Sequence, residues 1–419
     1  MYKVILPLIL LFVTGMAGRG QERSLDECLQ LAREHYPLTE GLHVMQSSTD
    51  LKLKNLRTAW YPQMDLGGQI SWQNDVPHLD SPSPGFEVPQ APKDQYKAYV
   101  DVRQIIYDGG ITRSKRELEA VAGETDQLNL EVEIYGIRSR VIDTYYLLLL
   151  LDEQEKQTNL SIENLTHRLK EVNVRVENGV MLESEADVFR VEILKLKQQL
   201  IGIEEARLGG QEIMAEFTGA PLAGVVKPEM LVVLLNDSLI QRPEISLFRS
   251  QLNQLEAARK VSGKTRMPNL SGFGQVGYGN PGFNMLLDSF EPFYMVGVRL
   301  NWRICDWNKT SREKKIYDHQ KQLVNQREDA FSQNVRMASS NLEARVRKLD
   351  KIVASDEEIV TLRKRITKAS VSKLENGVIT ASDYISDLNQ QYLAALSMEI
   401  HKLELSKAYA EYKNLLGVQ

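Results

Sequence analysis

Few side chains in this sequence have the types and spacing that catalysis or cofactor binding requires. The segment Gly277-Tyr278-Gly279-Asn280-Pro281-Gly282 fits the glycine-rich pattern of dinucleotide-binding loops, which open a helix. Pro281 stands where that helix would begin, and a loop between two strands also explains the glycines. The six histidines lack metal-ligand spacing, and no Ser/His/Asp or Cys/His set is arranged for catalysis. We therefore predict no enzyme, no cofactor and no metal site.

Regularly spaced charges occur instead in stretches where apolar and polar residues alternate, which is the period of a β-strand. Two β-hairpins are predicted, over 64–106 and 270–304, with strands of about ten residues, the length that crosses a bilayer. Apolar side chains facing lipid and charged ones facing a watery lumen explain both faces. A soluble antiparallel sheet with one wet face is the alternative. The predicted lumen residues are Asp101, Arg103, Arg299 and Arg303.

Composition and the N-terminus indicate an exported protein. The 419 residues include 51 basic and 56 acidic side chains, a balance that gives no reason to expect nucleic acid as a partner. Lys3 followed by the apolar run from Val4 to Val13 predicts a signal peptide over residues 1–20; a buried N-terminal strand is the alternative. Any membrane crossing by the remainder must use strands, since it has no apolar run of eighteen residues.

A very long helical stretch follows each hairpin. Residues 108–178 and 306–376 contain no proline, and the apolar spacing from Ile162 to Val176 is that of a coiled-coil seam. Each stretch ends at Asn-Gly, which suits a tight turn, and return helices are predicted over 183–217 and 381–416. The sequence therefore predicts two long helical hairpins.

These elements occur twice in the same order. Ile106-Tyr107-Asp108 recurs as Ile304-Cys305-Asp306, and Glu177-Asn178-Gly179-Val180 recurs as Glu375-Asn376-Gly377-Val378 at the same separation. We predict a first repeat over 21–218 with its helical tip near 178–182, a linking segment over 219–240, and a second repeat over 241–419 with its tip near 376–380. Four strands leave two open edges in lipid, so two, three or four chains must close one barrel.

The motifs and their order resemble the TolC-like outer-membrane efflux proteins, the outer membrane factors. The motifs are Ser24 to Ala32 leading to Tyr36-Pro37, Tyr61-Pro62 before the first strand, Ile106 to Gly110, and the two tips. The resemblance implies an α+β membrane protein that forms a homotrimer. Its twelve-stranded barrel would lie among the lipids of a Gram-negative outer membrane and continue into an α-helical tunnel in the periplasm.

The resemblance also implies a function and partners. The chain would be a passive exit duct for small molecules, drugs or metal ions in a tripartite efflux or type I secretion system. Its partners would be a periplasmic adaptor and an inner-membrane pump of the RND or ABC type. The alternative from another class is a periplasmic coiled-coil adaptor, although adaptors usually carry one hairpin and small β-domains.

The same resemblance assigns two groups of site residues. The adaptor-docking tips are Gly179, Val180, Met181, Leu182, Gly377, Val378 and Ile379. The periplasmic gate is predicted at Asp383, which matches an acidic position of the family, with Tyr384 and Asp387 as neighbouring candidates; the next acidic position of the family falls on Ser386. The Tyr and Arg that lock the gate in well-known relatives correspond here to Leu374 and Ile379, so a different polar network is expected.

Overall fold

The computed structural model describes residues 21–77, 91–228 and 240–418, so the predicted signal peptide lies outside the described residues. The helices of these ranges are α1 (Leu25–His35), α2 (Pro37–Arg57), α3 (Ile111–Tyr135), α4 (Ile137–Glu177), α5 (Glu183–Thr218), α6 (Pro243–Lys264), α7 (Lys309–Glu375) and α8 (Ala381–Leu416). The strands are β1 (Gln21–Arg23), β2 (Gln63–Trp72), β3 (Asp94–Tyr107), β4 (Leu222–Val225), β5 (Asn269–Asn280) and β6 (Glu291–Asn301).

The sequence pattern predicts one helix over about 24–59 and one long helical stretch over 108–178, and both are interrupted. The first divides at Tyr36, whose extended backbone follows from the restriction that Pro37 places on the residue before it. The first long stretch divides at Gly136, whose N–H is shared between the carbonyls of Val132 and Glu133 in a locally tightened turn. The second long stretch, α7, runs through 67 residues as one helix.

The chain divides into two compact units, each of which draws on separate parts of the sequence. The first takes in the described parts of Met1–Glu40, Val132–Arg242 and Ser332–Gln419. In it α1, α4 and α5 pack around a core that includes Cys28, Tyr145 and Met214, all with no exposed surface. β1 and β4 pair in parallel beside this core.

The second unit, Gly41–Glu131 and Pro243–Phe331, contains the four-stranded sheet. Its strand order is β2-β3-β5-β6, with every neighbouring pair antiparallel. The strands of this sheet therefore follow one another in chain order, with β4 in the other sheet, and the two hairpins join through β3 and β5. The helices of this unit are held together partly by the hydrogen bond between the Thr125 and Ser250 hydroxyls, at 2.9 Å.

An aspartate caps the helix that follows each hairpin. The Asp108 carboxylate accepts hydrogen bonds from the amides of Gly110 and Thr112, both at 2.8 Å. The Asp306 carboxylate accepts from the amide and the hydroxyl of Thr310, at 3.0 and 2.5 Å. Burial favours the neutral form of Asp108, but the hydrogen bonds outweigh burial and hold its pKa below the usual value. The Thr310 hydroxyl, and then its amide, lower the pKa of Asp306.

These caps predict acid sensitivity. Because both folded-state pKa values are lowered, their stabilisation is fully present above the ordinary value of 3.8 and is lost as the pH falls through the lower folded values. We expect the urea midpoint of the detergent-extracted protein to fall between about pH 4 and 2. In the Asp108→Asn, Asp306→Asn double variant the urea midpoint should decrease less over this pH range. Identical acid profiles for the variant and the parent would contradict this account.

Candidate functional site

One face of the sheet is apolar across all four strands. The register places Leu66, Val100, Val276 and Tyr294 in one row, and the rows on either side continue the pattern. Leu66 is 84% exposed and Tyr294 is 78% exposed, so this face is covered by nothing in the described chain. The register thus confirms that the alternation of the sequence produces one continuous apolar face. Its most exposed members are Met64, Leu66, Ile70, Trp72, Val276, Tyr278, Tyr294, Val296, Val298 and Leu300.

The opposite face carries the polar side chains. Asp101 lies beside Asp65 on β2 and Gln275 on β5, and the Gln275 amide donates to the Asp101 carboxylate at 2.8 Å. Arg103 lies one row nearer the helices. The Arg299 guanidinium lies 5.1 Å from the ring centroid of Phe273, also on this face.

Arg303 lies beyond the end of β6, so the predicted extent of this strand is wrong. The strand β6 ends at Asn301, which pairs with Asn269. Pro268 precedes Asn269 and has no backbone N–H to donate. The hydrogen bonding between β5 and β6 therefore does not continue beyond Asn269. The chain leaves the sheet two residues before Arg303.

Aromatic rings on the polar face lie directly over glycines. A Cβ placed on Gly67 would come within 2.7 Å of the Tyr99 ring, and one placed on Gly277 would collide with the Phe293 ring. These close approaches require glycine at both positions, because any side chain would lift the ring away from the strand. Both rings therefore lie directly against the backbone of the sheet.

The two helical tips have the same backbone geometry. At each tip a glycine with positive φ, Gly179 (+70°) or Gly377 (+67°), follows the last helical turn. The Val180 amide donates to the Arg175 carbonyl, and the Val378 amide donates to the Lys373 carbonyl, both at 2.8 Å. Together with the glycine amide bonds this is the Schellman motif, which explains why glycine recurs here.

The predicted docking residues divide into exposed and inward-facing groups. Val180, Leu182 and Val378 are 73%, 71% and 69% exposed. Met181 and Ile379 are half-buried against the core between the two hairpin ends. A Cβ added to Gly179 or Gly377 would have no described atom within 4 Å, so both glycines border open space. The three exposed aliphatic side chains and the two glycines form a surface available to a partner.

The two hairpin ends are tied by contacts that the sequence did not indicate. The Glu185 carboxylate accepts from the Ala381 amide at 2.6 Å and so caps the start of α8. The Arg175 guanidinium donates to the Glu375 carbonyl at 2.8 Å. Beneath these contacts the Phe189 and Tyr384 rings lie 6.0 Å apart in a buried core.

The predicted gate residues occupy three different environments. Asp383 forms a capping box with Thr380: each side chain accepts from the other residue's amide, at 3.0 and 3.2 Å. The hydrogen bonds from the Thr380 hydroxyl and amide lower the pKa of Asp383. Tyr384 is buried in the tip core, which raises its pKa, and the Asp387 carboxylate accepts from the Ser370 hydroxyl at 2.5 Å. Of the three side chains, Asp383 alone is exposed.

The capping role of Asp383 leads to a test at the helix start. Asp383→Ala removes the carboxylate that accepts from the Thr380 amide and hydroxyl, although the backbone amide of residue 383 can still donate to Thr380. The loss should destabilise the α7–α8 hairpin by about 1 kcal/mol. Asp383→Asn keeps an oxygen acceptor for Thr380 and should lose less stability than Asp383→Ala. Thermal unfolding of the extracted protein measures the difference, and equal melting temperatures for the two variants would contradict the cap.

Neither membrane-spanning helices nor metal clusters were found in the parts of the chain described above. None of those helices combines the length and the apolar character needed to cross a bilayer. No group of three or more His, Cys, Asp or Glu side chains there is placed to hold a metal ion.

A two-faced sheet of four strands with two long helical hairpins defines the TolC-like fold of outer-membrane channels, and this chain has that fold. The channel CmeC of Campylobacter jejuni is similar at 16% identity and a TM-score of 0.65, over 94% of this chain and 85% of that one. CusC is similar at 11% identity and a TM-score of 0.72, over 95% and 93%. The open state of MtrE from Neisseria gonorrhoeae is similar at 15% identity and a TM-score of 0.66, over 94% and 89%. No protein-family model and no curated protein matches the sequence.

Proposed function

We propose that three copies of this chain form an outer-membrane channel, the passive exit duct of a tripartite efflux or type I secretion system. The observation that carries the proposal is the sheet, with one face apolar and exposed and the other charged. An apolar face of this extent on a protein surface needs a cover. Outer-membrane lipid covers it, and the polar face lines the water-filled lumen.

The two unpaired edges of the sheet are evidence for an assembly of several chains. Within the described ranges β2 and β6 each have a strand neighbour on one side only. Unpaired backbone N–H and C=O groups in hydrocarbon cost several kcal/mol each. Pairing β6 of one copy with β2 of the next removes both edges. Three copies would give the twelve strands that the TolC-like fold implies.

The helical tips are evidence that a partner binds at the end of the helical hairpins. Val180, Leu182 and Val378 offer apolar area beside two glycines, where another helical tip can approach closely. We assign this surface to a periplasmic adaptor, which would connect the duct to an RND or ABC pump. The pump would supply the energy, and the duct would pass small molecules, drugs or metal ions.

Asp383 remains our proposal for the charge at the entrance. In a trimer its exposed carboxylate would form a ring of three like charges, which favours cations. Because Asp383→Asn keeps the cap and removes the charge, it separates the two roles of this residue. We expect both Asp383→Asn and Asp383→Ala to reduce cation selectivity in planar bilayers. A change in the Ala variant alone would assign the effect to the helix cap.

The direct test of the proposed function is reconstitution. The purified protein, added alone to a planar bilayer, should open ion-conducting channels without nucleotide. Export of a drug or dye should fail in cells that lack the gene and return when it is supplied. Purified oligomers that never conduct would contradict the proposal.

A further inference from the structure

The connection between β5 and β6, residues 281–290, is folded onto the end of the sheet away from the helices. The Asn280 amide group donates to the Asp288 carboxylate at 2.9 Å, and the Leu287 amide donates to the Asn284 carbonyl at 3.3 Å. Pro281 and Gly282 at its start are buried. The start of the segment is therefore anchored to the end of this hairpin.

The two phenylalanines of this connection lie on opposite faces of the sheet. Phe290 stacks on Tyr278 at 5.7 Å and lies 6.1 Å from Tyr96, both on the apolar face. Phe283 instead lies 4.6 Å from Phe293, centroid to centroid. Phe293 pairs with Gly277, which lies opposite Tyr99 in the register, so this contact is on the polar face.

The exposure of the two rings on the polar face is unequal. Phe293 is only 5% exposed, since it lies against Gly277 on one side and Phe283 on another. Phe283 is 51% exposed. The exposed half of a phenylalanine ring on a water-facing surface becomes buried only if other apolar groups contact it. The other two copies of a trimer would bring the same residues to the same mouth.

We propose that Phe283 forms an exit constriction, in which the three copies of residues 281–290 narrow the outer mouth of the channel and set the size of the molecules that leave. This inference rests on the proposed trimeric channel. A barrel of twelve tilted strands has a backbone radius of about 12 Å. The Phe293 and Phe283 rings contact each other on the face assigned to the lumen, so each copy adds aromatic bulk inside that radius.

Single-channel recording tests the constriction with a matched pair from the same loop. Phe283→Ala should raise the conductance about twofold or more, because current is limited by the narrowest part of a pore. It should also admit larger polyethylene glycol molecules. Phe290→Ala removes the same side chain from the lipid-facing side and should leave conductance unchanged. Equal conductance in Phe283→Ala and the parent, at equal trimer yield, would overturn the proposal.

A cysteine variant tests the same position without depending on a cavity. Phe283→Cys in a Cys305→Ser background leaves Cys28, which is buried, as the remaining thiol. A bulky, charged thiol reagent added on the loop side should reduce the current of this variant by more than half and spare the background protein. Confirmed labelling with no change in current would overturn the constriction.

Different results would contradict the proposed channel function and the Phe283 constriction. If the parent protein yields no trimers and no channels, the proposed function fails and the constriction fails with it. If the parent conducts and both Phe283 variants behave like it, the constriction alone is wrong.

Discussion

Val276→Arg should prevent the protein from accumulating in the outer membrane. Val276 lies in the middle row of the apolar face and is 57% exposed. An arginine on the lipid face near the bilayer midplane destabilises a barrel by about 2–4 kcal/mol, and a trimer carries it three times. We expect the amount of outer-membrane trimer, measured by immunoblotting of membrane fractions, to fall at least about tenfold.

The adjacent residue provides the control for this prediction. Gln275→Arg places the same side chain one position away, where it faces the polar side beside Asp101. It should assemble at nearly the parent level. If the two arginine variants assemble equally well, the apolar face does not meet lipid and the assignment of the faces is wrong.

Gly179→Trp combined with Gly377→Trp should abolish adaptor docking while the channel still assembles. Both glycines border open space, so each indole would stand in the volume that a docking helix tip needs. The positive φ also opposes a side chain, at about 1–2 kcal/mol for each residue. We expect cross-linking to the adaptor to weaken about tenfold or more, and drug export to be lost.

Asparagine substitutions separate the effect of side-chain bulk from the effect of positive φ at these tips. Asparagine tolerates positive φ, so Gly179→Asn with Gly377→Asn should preserve both Schellman turns and add little bulk. This variant should keep most adaptor binding. Normal cross-linking and export in the double tryptophan variant, at parent protein levels, would place the docking surface elsewhere.

The sequence was most informative where one local rule governs a residue. Strand alternation has a period of two, so the face of Val276 follows from its position in the strand. Asn-Gly after a proline-free helix located both tips because a Schellman turn needs positive φ, which glycine adopts readily. The break at Tyr36 also follows from a local rule, because Pro37 restricts the backbone of the residue before it, although the apolar spacing on either side is helical.

The remaining features depend on contacts between distant parts of the chain. Glu185 caps Ala381 and Arg175 binds Glu375, although no periodicity connects these residues. The burial of Tyr384 depends on Phe189 from the other hairpin. The Thr380–Asp383 capping box is local and has a sequence signature, a threonine followed three residues later by an acidic residue.

Subunit counting tests the central claim most directly. Native mass spectrometry of the complex extracted by detergent from outer-membrane fractions should give a mass of three chains. Recovery of the protein as a monomer from the soluble periplasm would contradict the channel.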